Sequence, residues 1–339
     1  MNRPAKGRML RGVGLVVGVG VLLAGLAGGP ATAEQEKVNM GIQPFISYAP
    51  IFIALEKGMF TEQQLEVKVE SFVSAQKMMA PVAAGQLDVV GGALSAGFYN
   101  SVAKGLKMKI VADKGRWSEG HGITQIMVRK DLYDSGQITK IADLKGRKLI
   151  NTAPLNGAGY LLVLALEQAG VPYDHAKVAY LGMPQIFQGM QTKAVEVGIC
   201  VEPWCIRAER ENVAKVLVRG DELPKGRDFQ IAYIIYTDKF IKENREAAQR
   251  FMNAYMKAVR FYHSTGERGD TVAAIISKHT KVPAELVKAA VPTGIAPDGK
   301  PNMKSVAQFQ DWLFENGFVK QKLNIDDLWD GSFVAKAAM

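Results

Sequence analysis

Short apolar runs alternate with amphipathic stretches over most of the chain, which is the pattern of an α/β protein. The apolar runs first predict four strands, at 37–42, 65–72, 87–91 and 109–112. A second series of strands is predicted at 123–129, 147–152, 177–181 and 195–201. Amphipathic helices fill the intervals, so we expect two successive units of about 100 residues, each with its own parallel sheet.

After a further apolar strand at 231–236, the pattern becomes helical towards the end of the chain. Residues 245–262 carry large apolar side chains at helical spacing, namely Phe251, Tyr255, Met256, Val259 and Tyr262. Further helices are expected at 271–279, 283–290 and 305–316. We expect these C-terminal helices to return to the first unit.

This order of elements predicts an α/β protein with two lobes, each built on a parallel-rich sheet with flanking helices. Lobe I is expected to contain residues 34–123 and 233–339, and lobe II residues 124–232. Strands that cross between the lobes, near 123–127 and 231–235, are expected to form a hinge. Ligands of open α/β sheets bind beyond the carboxyl ends of the strands, so we expect the function in the cleft between the lobes.

Residues 1–33 have the features of a secretory signal peptide. Basic residues up to Arg11 precede an apolar run at 13–26, which a Gly-Gly-Pro sequence ends. The small residues at 31–33 form a cleavage pattern, which predicts cleavage after Ala33. The apolar run is about 14 residues long, whereas roughly 20 are needed to span a bilayer, so a retained anchor is the less favoured alternative. We therefore expect a soluble, exported product.

The charge of the chain does not favour a nucleic-acid partner. There are 42 Lys and Arg residues against 33 Asp and Glu residues, a formal net charge of +9. Four of the basic residues and none of the acidic ones lie in residues 1–33, so the remainder is only mildly basic. Because that remainder contains no long basic run, we expect no nucleic-acid surface.

The two cysteines, Cys200 and Cys205, allow two interpretations. An oxidising compartment permits a disulfide between them. Two small buried thiols near the end of a strand are the alternative. No metal site is expected, because neither a CxxC nor a His-rich pattern accompanies them.

The loops that follow predicted strands form the expected binding region, and they are 43–50, 92–98, 153–160 and 202–205. In the first loop, Ser47 either caps a helix or donates to the ligand, and Tyr48 contacts the ligand or lies at the edge of the core. In the second, Gly92 lets a ligand approach the backbone, and Ser95 at the following helix start can donate to an anion. Ordinary turn chemistry is the alternative for this second loop.

The third loop carries Asn156, Gly157 and Gly159 ahead of a strongly apolar helix. It lacks both the Lys-Ser/Thr ending of a P-loop and the spacing of a dinucleotide-binding motif. We therefore expect capture of a simple anion at the helix start around Gly159, and no nucleotide or other cofactor.

The fourth loop places Glu202 and Trp204 on either side of a proline. Glu202 can accept hydrogen bonds from an amine-like ligand on which Trp204 stacks, or Glu202 can cap a helix while Trp204 fills the core. Arg116 and Trp117 follow the fourth strand as an anion clamp and a lid aromatic, unless the arginine is simply solvated. These residues leave the ligand's charge open, and a small organic anion is favoured.

Four segments with recognisable motifs follow one another along the chain. They are QPFISYAPIFIALEKGMF (43–60), GQLDVVGGALSAGFYNSVAKG (85–105), DLKGRKLI with APLNGAGYLLVLALEQAG (143–150 and 153–170) and VEVGICVEPW (195–204). Together they resemble nitrate/sulfonate/taurine-type periplasmic substrate-binding proteins, a group that includes binders of thiamine-pyrimidine precursors. The resemblance implies a type-II periplasmic binding protein fold and delivery of a small solute to an ABC permease and its ATPase. We expect a periplasmic monomer that closes on the solute at its hinge.

An enzymatic function is not expected. The four histidines, His121, His175, His263 and His279, are scattered, and no zinc-protease or serine-hydrolase motif is present. Thiamine-pyrimidine synthases share the implied fold, but the chain lacks their cysteine-rich motif. Three alternatives stay open: a binder of a pyrimidine-like or other heteroaromatic nitrogen compound, a synthase of that kind, and a partner of a sensor.

Overall fold

The computed structural model describes residues 35–173 and 177–337. The predicted signal peptide, with its cleavage site after Ala33, lies outside the described residues. Within them, no helix combines the length and the apolar character that crossing a membrane requires.

The described residues contain ten strands in two five-stranded sheets. The strands are β1 (Glu36–Ile42), β2 (Leu65–Ser71), β3 (Val89–Gly92), β4 (Met108–Trp117), β5 (Thr124–Arg129), β6 (Lys148–Asn151), β7 (Lys177–Tyr180), β8 (Val197–Val201), β9 (Ala214–Arg219) and β10 (Phe229–Thr237). The order in the first sheet is β2-β1-β3-β10-β4, and in the second it is β7-β6-β8-β5-β9. The two predicted series of strands are therefore confirmed as separate sheets.

Both sheets are mixed rather than parallel. β1 pairs in parallel with β2 and β3, whereas β10 runs antiparallel to β3 and β4. In the second sheet, β6 is parallel to β7 and β8, and β5 is antiparallel to β8 and β9. The chain reaches each of the antiparallel strands, β5 and β10, directly from a strand of the other sheet. Neither strand follows a βαβ crossover within its own sheet, which is the connection that makes strands parallel.

The chain passes between the sheets in residues 118–123 and 220–228, which join β4 to β5 and β9 to β10. β5 and β10, whose residues were expected to cross between the lobes, each lie within one sheet. The short connections rather than the strands therefore link the two sheets.

Helices cover the faces of both sheets. They are α1 (Ala49–Glu56), α2 (Met59–Glu62), α3 (Met79–Ala83), α4 (Ala96–Ala103), α5 (Lys130–Asp134), α6 (Gly157–Gln168), α7 (Met183–Gln191), α8 (Trp204–Arg210), α9 (Asp238–Glu243), α10 (Arg245–Thr265), α11 (Asp270–Thr280), α12 (Ala284–Ala289), α13 (Met303–Glu315), α14 (Ile325–Leu328) and α15 (Ser332–Ala337).

The longest of these helices, α10, follows the pattern that predicted it. Its apolar stripe is fully buried at Phe251, Tyr255, Val259 and Tyr262, and it packs against α1 beside the first sheet. Apolar side chains at this spacing lie on one face of a helix, and their burial stabilises the fold by about 2 kcal/mol for each large side chain. The C-terminal helices therefore return to the first sheet, as expected.

Candidate functional site: a cavity between the two sheets

Loops from the two sheets meet between them. The amide of Ala96 donates to the carbonyl of Leu155, and the amide of Gly157 donates to the carbonyl of Leu94, both at 3.1 Å. This pair of bonds places Ser95 opposite Asn156 as an antiparallel bridge. The second and third predicted loops, one from each sheet, are thus directly hydrogen-bonded.

The loops enclose a cavity of about 40 Å³. Its lining residues come from both sheets and are Gln43, Phe45, Ser47, Tyr48, Gly92, Ala93, Lys114, Ile123, Thr152, Asn156, Ala158, Val201, Ile231 and Ala232. A cavity of this size holds a few water molecules or one small polar group. Lys114 alone among these lining residues carries a charge.

Lys114 owes its position to a β-bulge. In the pairing of β4 with β10, Asp113 lies opposite Tyr233 and Gly115 lies opposite Ala232, which leaves Lys114 as an extra residue in β4. A bulge bends the strand locally and redirects the side chain of the extra residue. Here the redirected side chain lines the cavity.

The ammonium group of Lys114 is buried without a carboxylate beside it. The side chain donates to the Ser47 hydroxyl at 2.8 Å and lies over the Tyr48 ring, 3.6 Å from its centroid. Only 1% of the residue is exposed, and no salt bridge to it is found among the described residues. Burial holds the pKa of Lys114 well below its ordinary value of 10.5, although the charge of Asp113 opposes the shift.

The carboxylate of the neighbouring Asp113 accepts hydrogen bonds from other groups. It accepts hydrogen bonds from the amides of Gly115 and Ala296, at 2.6 and 2.7 Å, and from Gln230 Nε2 at 2.6 Å. Burial raises the pKa of Asp113, and these donors oppose the shift. A buried cation without a paired carboxylate is costly, so an anion placed beside Lys114 gains a favourable partner.

The predicted residues Ser47, Tyr48 and Gly92 all line the cavity. Ser47 lies in a 3-10 turn, Ile46–Tyr48, and its hydroxyl accepts a hydrogen bond from the Lys114 ammonium. The alternative that Ser47 caps a helix is wrong. The Tyr48 hydroxyl donates to the Gly91 carbonyl, so its ring rather than its hydroxyl faces the cavity cation. A Cβ atom on Gly92 would lie 2.6 Å from the Cβ of Ala75, so only glycine allows the backbone at position 92 to lie this close to Ala75.

Asn156 also lines the cavity, and it changes the interpretation of Gly159. The Asn156 side chain caps α6 by accepting from the Gly159 amide at 2.8 Å, and it also accepts from Asn151 Nδ2 at 3.1 Å. The Gly159 amide is therefore occupied, and the expectation that it captures an anion is wrong. Ala158, which directly precedes Gly159, lines the cavity instead.

Ser95 and Gly157 position the loops and are not among the cavity-lining residues. The Ser95 hydroxyl caps α4 by accepting from the Phe98 amide at 3.2 Å. Gly157 donates its amide across the loops, and a Cβ atom there would lie 3.1 Å from Ile231 Cδ1. Both residues therefore act through the contact between the sheets rather than through the cavity.

Glu202 is buried beside the cavity rather than in it. Its carboxylate accepts from Gln125 Nε2 and from the amides of Ile206 and Val291, at 3.0, 3.0 and 3.3 Å. Burial raises the pKa of Glu202 to about 7. The helix-capping part of the alternative agrees with the structure, because Glu202 accepts from the first turn of α8. Trp204 is only partly buried and packs against Phe187, with ring centroids 6.0 Å apart, so it lies at the edge of the core.

Arg116 and Trp117 also lie outside the cavity lining. Arg116 pairs with Asp113 at 3.8 Å, and its side chain is 26% exposed. Trp117 is fully buried, donates its indole N–H to Thr124 Oγ1 at 3.2 Å and packs against Phe229 at 5.0 Å. The roles of anion clamp and lid aromatic are wrong for these residues, because β4 continues beyond the predicted strand 109–112. The strand carries Trp117 into the folded core and leaves Arg116 partly exposed, paired with Asp113 outside the cavity lining.

The remaining candidate groups do not reach the cavity. Cys200 and Cys205 are buried free thiols. His121 lies on a connection between the sheets, where Nε2 contacts Glu267 Oε2 at 2.8 Å. No group of three or more metal-ligating side chains occurs in the part of the chain that the structure describes.

Several matches place the chain among known proteins. A family model described as the NMT1-like family matches residues 31–277. A search of curated protein sequences found no match.

Solved structures share the fold at low sequence identity. The ligand-binding component of an ABC-type import system from Staphylococcus aureus, with zinc bound, has a TM-score of 0.74 and 15% identity and covers 89% of this chain and 99% of its own. The nitrate-binding protein NrtA from Synechocystis PCC 6803 has a TM-score of 0.74 and 17% identity, with 90% and 89% covered. The alkanesulfonate-binding protein SsuA from Xanthomonas axonopodis pv. citri, bound to MOPS, has a TM-score of 0.68 and 15% identity, with 90% and 98% covered.

These structures are similar in their two-sheet α/β architecture over nearly the whole of the described chain. The family match covers well over half of the sequence. The chain therefore belongs to the NMT1-like family and has the fold of periplasmic substrate-binding proteins.

Proposed function

We propose that the protein is the exported, periplasmic solute-binding component of an ABC importer, and that it captures a small organic anion between two lobes. Lobe I comprises residues 34–123 and 233–339, and lobe II residues 124–232. The protein acts as a monomer that hands its solute to a permease and its ATPase without transforming it. The titles of the similar structures, which name ABC-type import and nitrate and sulfonate binding, support this role.

The position of Lys114 is the main support for an anionic ligand. This lysine is the one charged residue in the lining of the cavity, it is buried, and its nearest hydrogen-bond partner is the neutral Ser47 hydroxyl. A sulfonate or carboxylate beside this ammonium forms charge-assisted hydrogen bonds in a dry site, where such bonds are strong. Glu202, which would favour a cationic ligand, is engaged by three protein donors outside the lining.

Closure is expected to bring ligand contacts from both lobes together. Ser47 and Lys114 belong to the first sheet region, and Thr152 and Asn156 to the second, and all four line the same cavity. A ligand that contacts both sides favours the closed form by its differential affinity for that form. The connections at 118–123 and 220–228 are the proposed hinge.

A thermal-shift screen tests this function, because a ligand that binds the native form alone raises the apparent stability. Sulfonates, carboxylates and nitrate are compared with pyrimidines and with organic cations, and each mixture is then analysed for product. Stabilisation by anions with no product supports the proposal. Stabilisation by pyrimidines or cations alone contradicts the anion class, and turnover of a ligand contradicts the binding role.

A further inference from the structure

A second, larger cavity adjoins the one that contains Lys114. It has a volume of about 500 Å³, and it is lined by residues from the loop after β2 and from loops after β6 and β7. Thr152 lines both cavities, so the two adjoin at that residue. The two sides of the larger cavity come close at Val73, whose Cβ lies 3.9 Å from the position of a Cβ on Gly182.

The inner cavity is too small for an organic anion that is much larger than its headgroup. At about 40 Å³ it accepts a headgroup such as a sulfonate or a carboxylate, with little room for attached carbon atoms. Whatever is bonded to the headgroup must leave the inner cavity, and the larger cavity, which shares Thr152 with it, is the adjoining space. The larger cavity has more than ten times the inner volume, which is ample for a ring system.

The lining of the larger cavity combines polar side chains with exposed apolar ones that an aryl group can contact. Val73 is 63% exposed, Tyr180 44% and Leu181 36%, and they account for three of the six large hydrophobic residues exposed among the described residues. Exposed apolar side chains that gather in a concave site mark a place where a partner surface is buried. A tyrosine ring offers a face for stacking, and Lys77, also in the lining, adds a donor for polar substituents.

We infer that this cavity is a tail subsite, and that the solute is an aryl-bearing organic anion whose headgroup lies beside Lys114 while its ring lies between Val73 and Tyr180. The inference rests on the proposed function and narrows its ligand class. An aryl acid would fill both cavities, whereas nitrate and other inorganic anions would leave the larger cavity empty.

Calorimetric titration with methanesulfonate, benzenesulfonate and naphthalene-2-sulfonate tests the inference, with acetate, benzoate and 2-naphthoate as the carboxylate series. Wild-type protein is expected to bind the naphthyl member of a series at least about tenfold more tightly than the methyl member. Tyr180→Ser combined with Val73→Ser is expected to reduce that gain to less than about threefold while it leaves the affinity for the methyl member unchanged. Phe314→Ser, at another exposed aromatic residue outside the lining, is the matched control and is expected to retain the full gain.

The outcomes separate this inference from the function on which it rests. Equal affinities along a series in wild-type protein, or an undiminished gain in the double variant, overturn the tail subsite and leave anion binding intact. Absence of binding by every anion in wild-type protein overturns the proposed function, and the subsite with it. Thermal denaturation of each variant checks that a lost gain does not come from unfolding, which is not expected at such exposed positions.

Discussion

The ammonium of Lys114 lies 2.8 Å from the hydroxyl of Ser47, inside a cavity that both sheets line. A cation in this position has exchanged water for the hydroxyl and the backbone carbonyl of Ser47 and the face of the Tyr48 ring. These neutral partners compensate poorly for the desolvation of a buried charge. An anion beside the ammonium would give it a favourable partner, which is the basis of the proposed anion capture.

Anion binding is expected to take up protons at alkaline pH. Burial lowers the pKa of Lys114, and an adjacent anion raises it again, so the lysine binds a proton together with the ligand. Titration at pH 9 in two buffers of different ionisation enthalpy measures this uptake. We expect a clear fraction of a proton per ligand in wild-type protein and none through this residue in Lys114→Met.

Lys109→Met is the matched control for this measurement, because Lys109 lies on the same strand outside the cavity lining. Proton uptake that is equal in wild-type protein and Lys114→Met would mean that another group is coupled to the ligand.

Glu202 is expected to make the protein less stable as the pH rises from 5 to 8. Burial raises its folded pKa to about 7, from an ordinary value of 4.5, so the folded state holds a proton that the unfolded state releases. The stabilisation is complete below about pH 4.5 and is lost as the pH rises through about 7, with an upper bound of about 3 kcal/mol. Denaturant unfolding across this range should show a smaller decline in Glu202→Gln than in wild-type protein.

Glu211→Gln, at the C-terminal end of helix α8, serves as the control for Glu202, because Glu211 is not among the groups that shift the pKa of Glu202, and it should retain the wild-type decline. The same pH dependence in wild-type protein and Glu202→Gln would assign it to other groups.

The contact of His121 with Glu267 is expected to contribute stability that also declines as the pH rises. The hydrogen bond that His121 donates to Glu267 raises the pKa of His121, so its contribution is complete below about pH 6.5 and is lost as the pH rises through the raised value. Burial alone would raise the pKa of Glu267, but the bonds with His121 and His263 lower it to about 2, so its own contribution fades only as the pH falls towards 2. Glu267→Gln should therefore cost about 1 kcal/mol at pH 6 and less at pH 9.

Unfolding curves of Glu267→Gln and wild-type protein at the two pH values measure this difference. An equal cost at pH 6 and pH 9 would show that the charge of His121 contributes nothing to stability.

The proposed closure between the lobes can be tested with a disulfide at the facing pair Ser95 and Asn156. Backbone hydrogen bonds flank this pair on both sides, and such a pair brings the two Cβ atoms close enough for a disulfide. We expect the oxidised double variant Ser95→Cys with Asn156→Cys to release bound anion at least about tenfold more slowly than its reduced form. Stopped-flow release with and without reductant measures the effect.

The single variants control for the lost helix caps, each of which costs about 1 kcal/mol. Release that is as fast in the oxidised as in the reduced double variant would mean that ligand exchange does not require these loops to separate.

Much of the architecture follows from local sequence. Apolar runs and helical spacing predicted both series of strands and α10. This works because an element that is buried on one face has apolar residues at a regular spacing, which is visible in the sequence. The four candidate loops were found because loops after strands collect at one edge of a sheet. Ser47 and Asn156 lie at the cavity for that reason.

The central residue of the site was missed for a physical reason. Lys114 lies two residues beyond the strand predicted at 109–112, whereas β4 extends to Trp117 and includes Lys114. The bulge that redirects Lys114 depends on pairing with β10, more than 100 residues later in the chain, and no local pattern reports it. A lysine within a strand that is otherwise buried was the signal that could have identified it.

Glu202, Trp204 and Trp117 illustrate a different limit. Glutamate and tryptophan occur both in ligand sites and in packed interiors, and the residues that contact them in the folded protein determine which role they have. Gln125, Ile206 and the rest of the core supply those neighbours from distant segments.

Titration calorimetry of the best-binding anion with wild-type protein, Lys114→Met and Lys109→Met is the most direct test of the account. Loss of a charge-assisted hydrogen bond in a buried site should weaken binding by about a hundredfold in Lys114→Met, and Lys109→Met should bind as wild-type protein does. Both variants should unfold at or above the wild-type temperature, because removal of a buried unpaired cation does not destabilise the fold. Wild-type affinity in a folded Lys114→Met would contradict the claim that this lysine binds the solute.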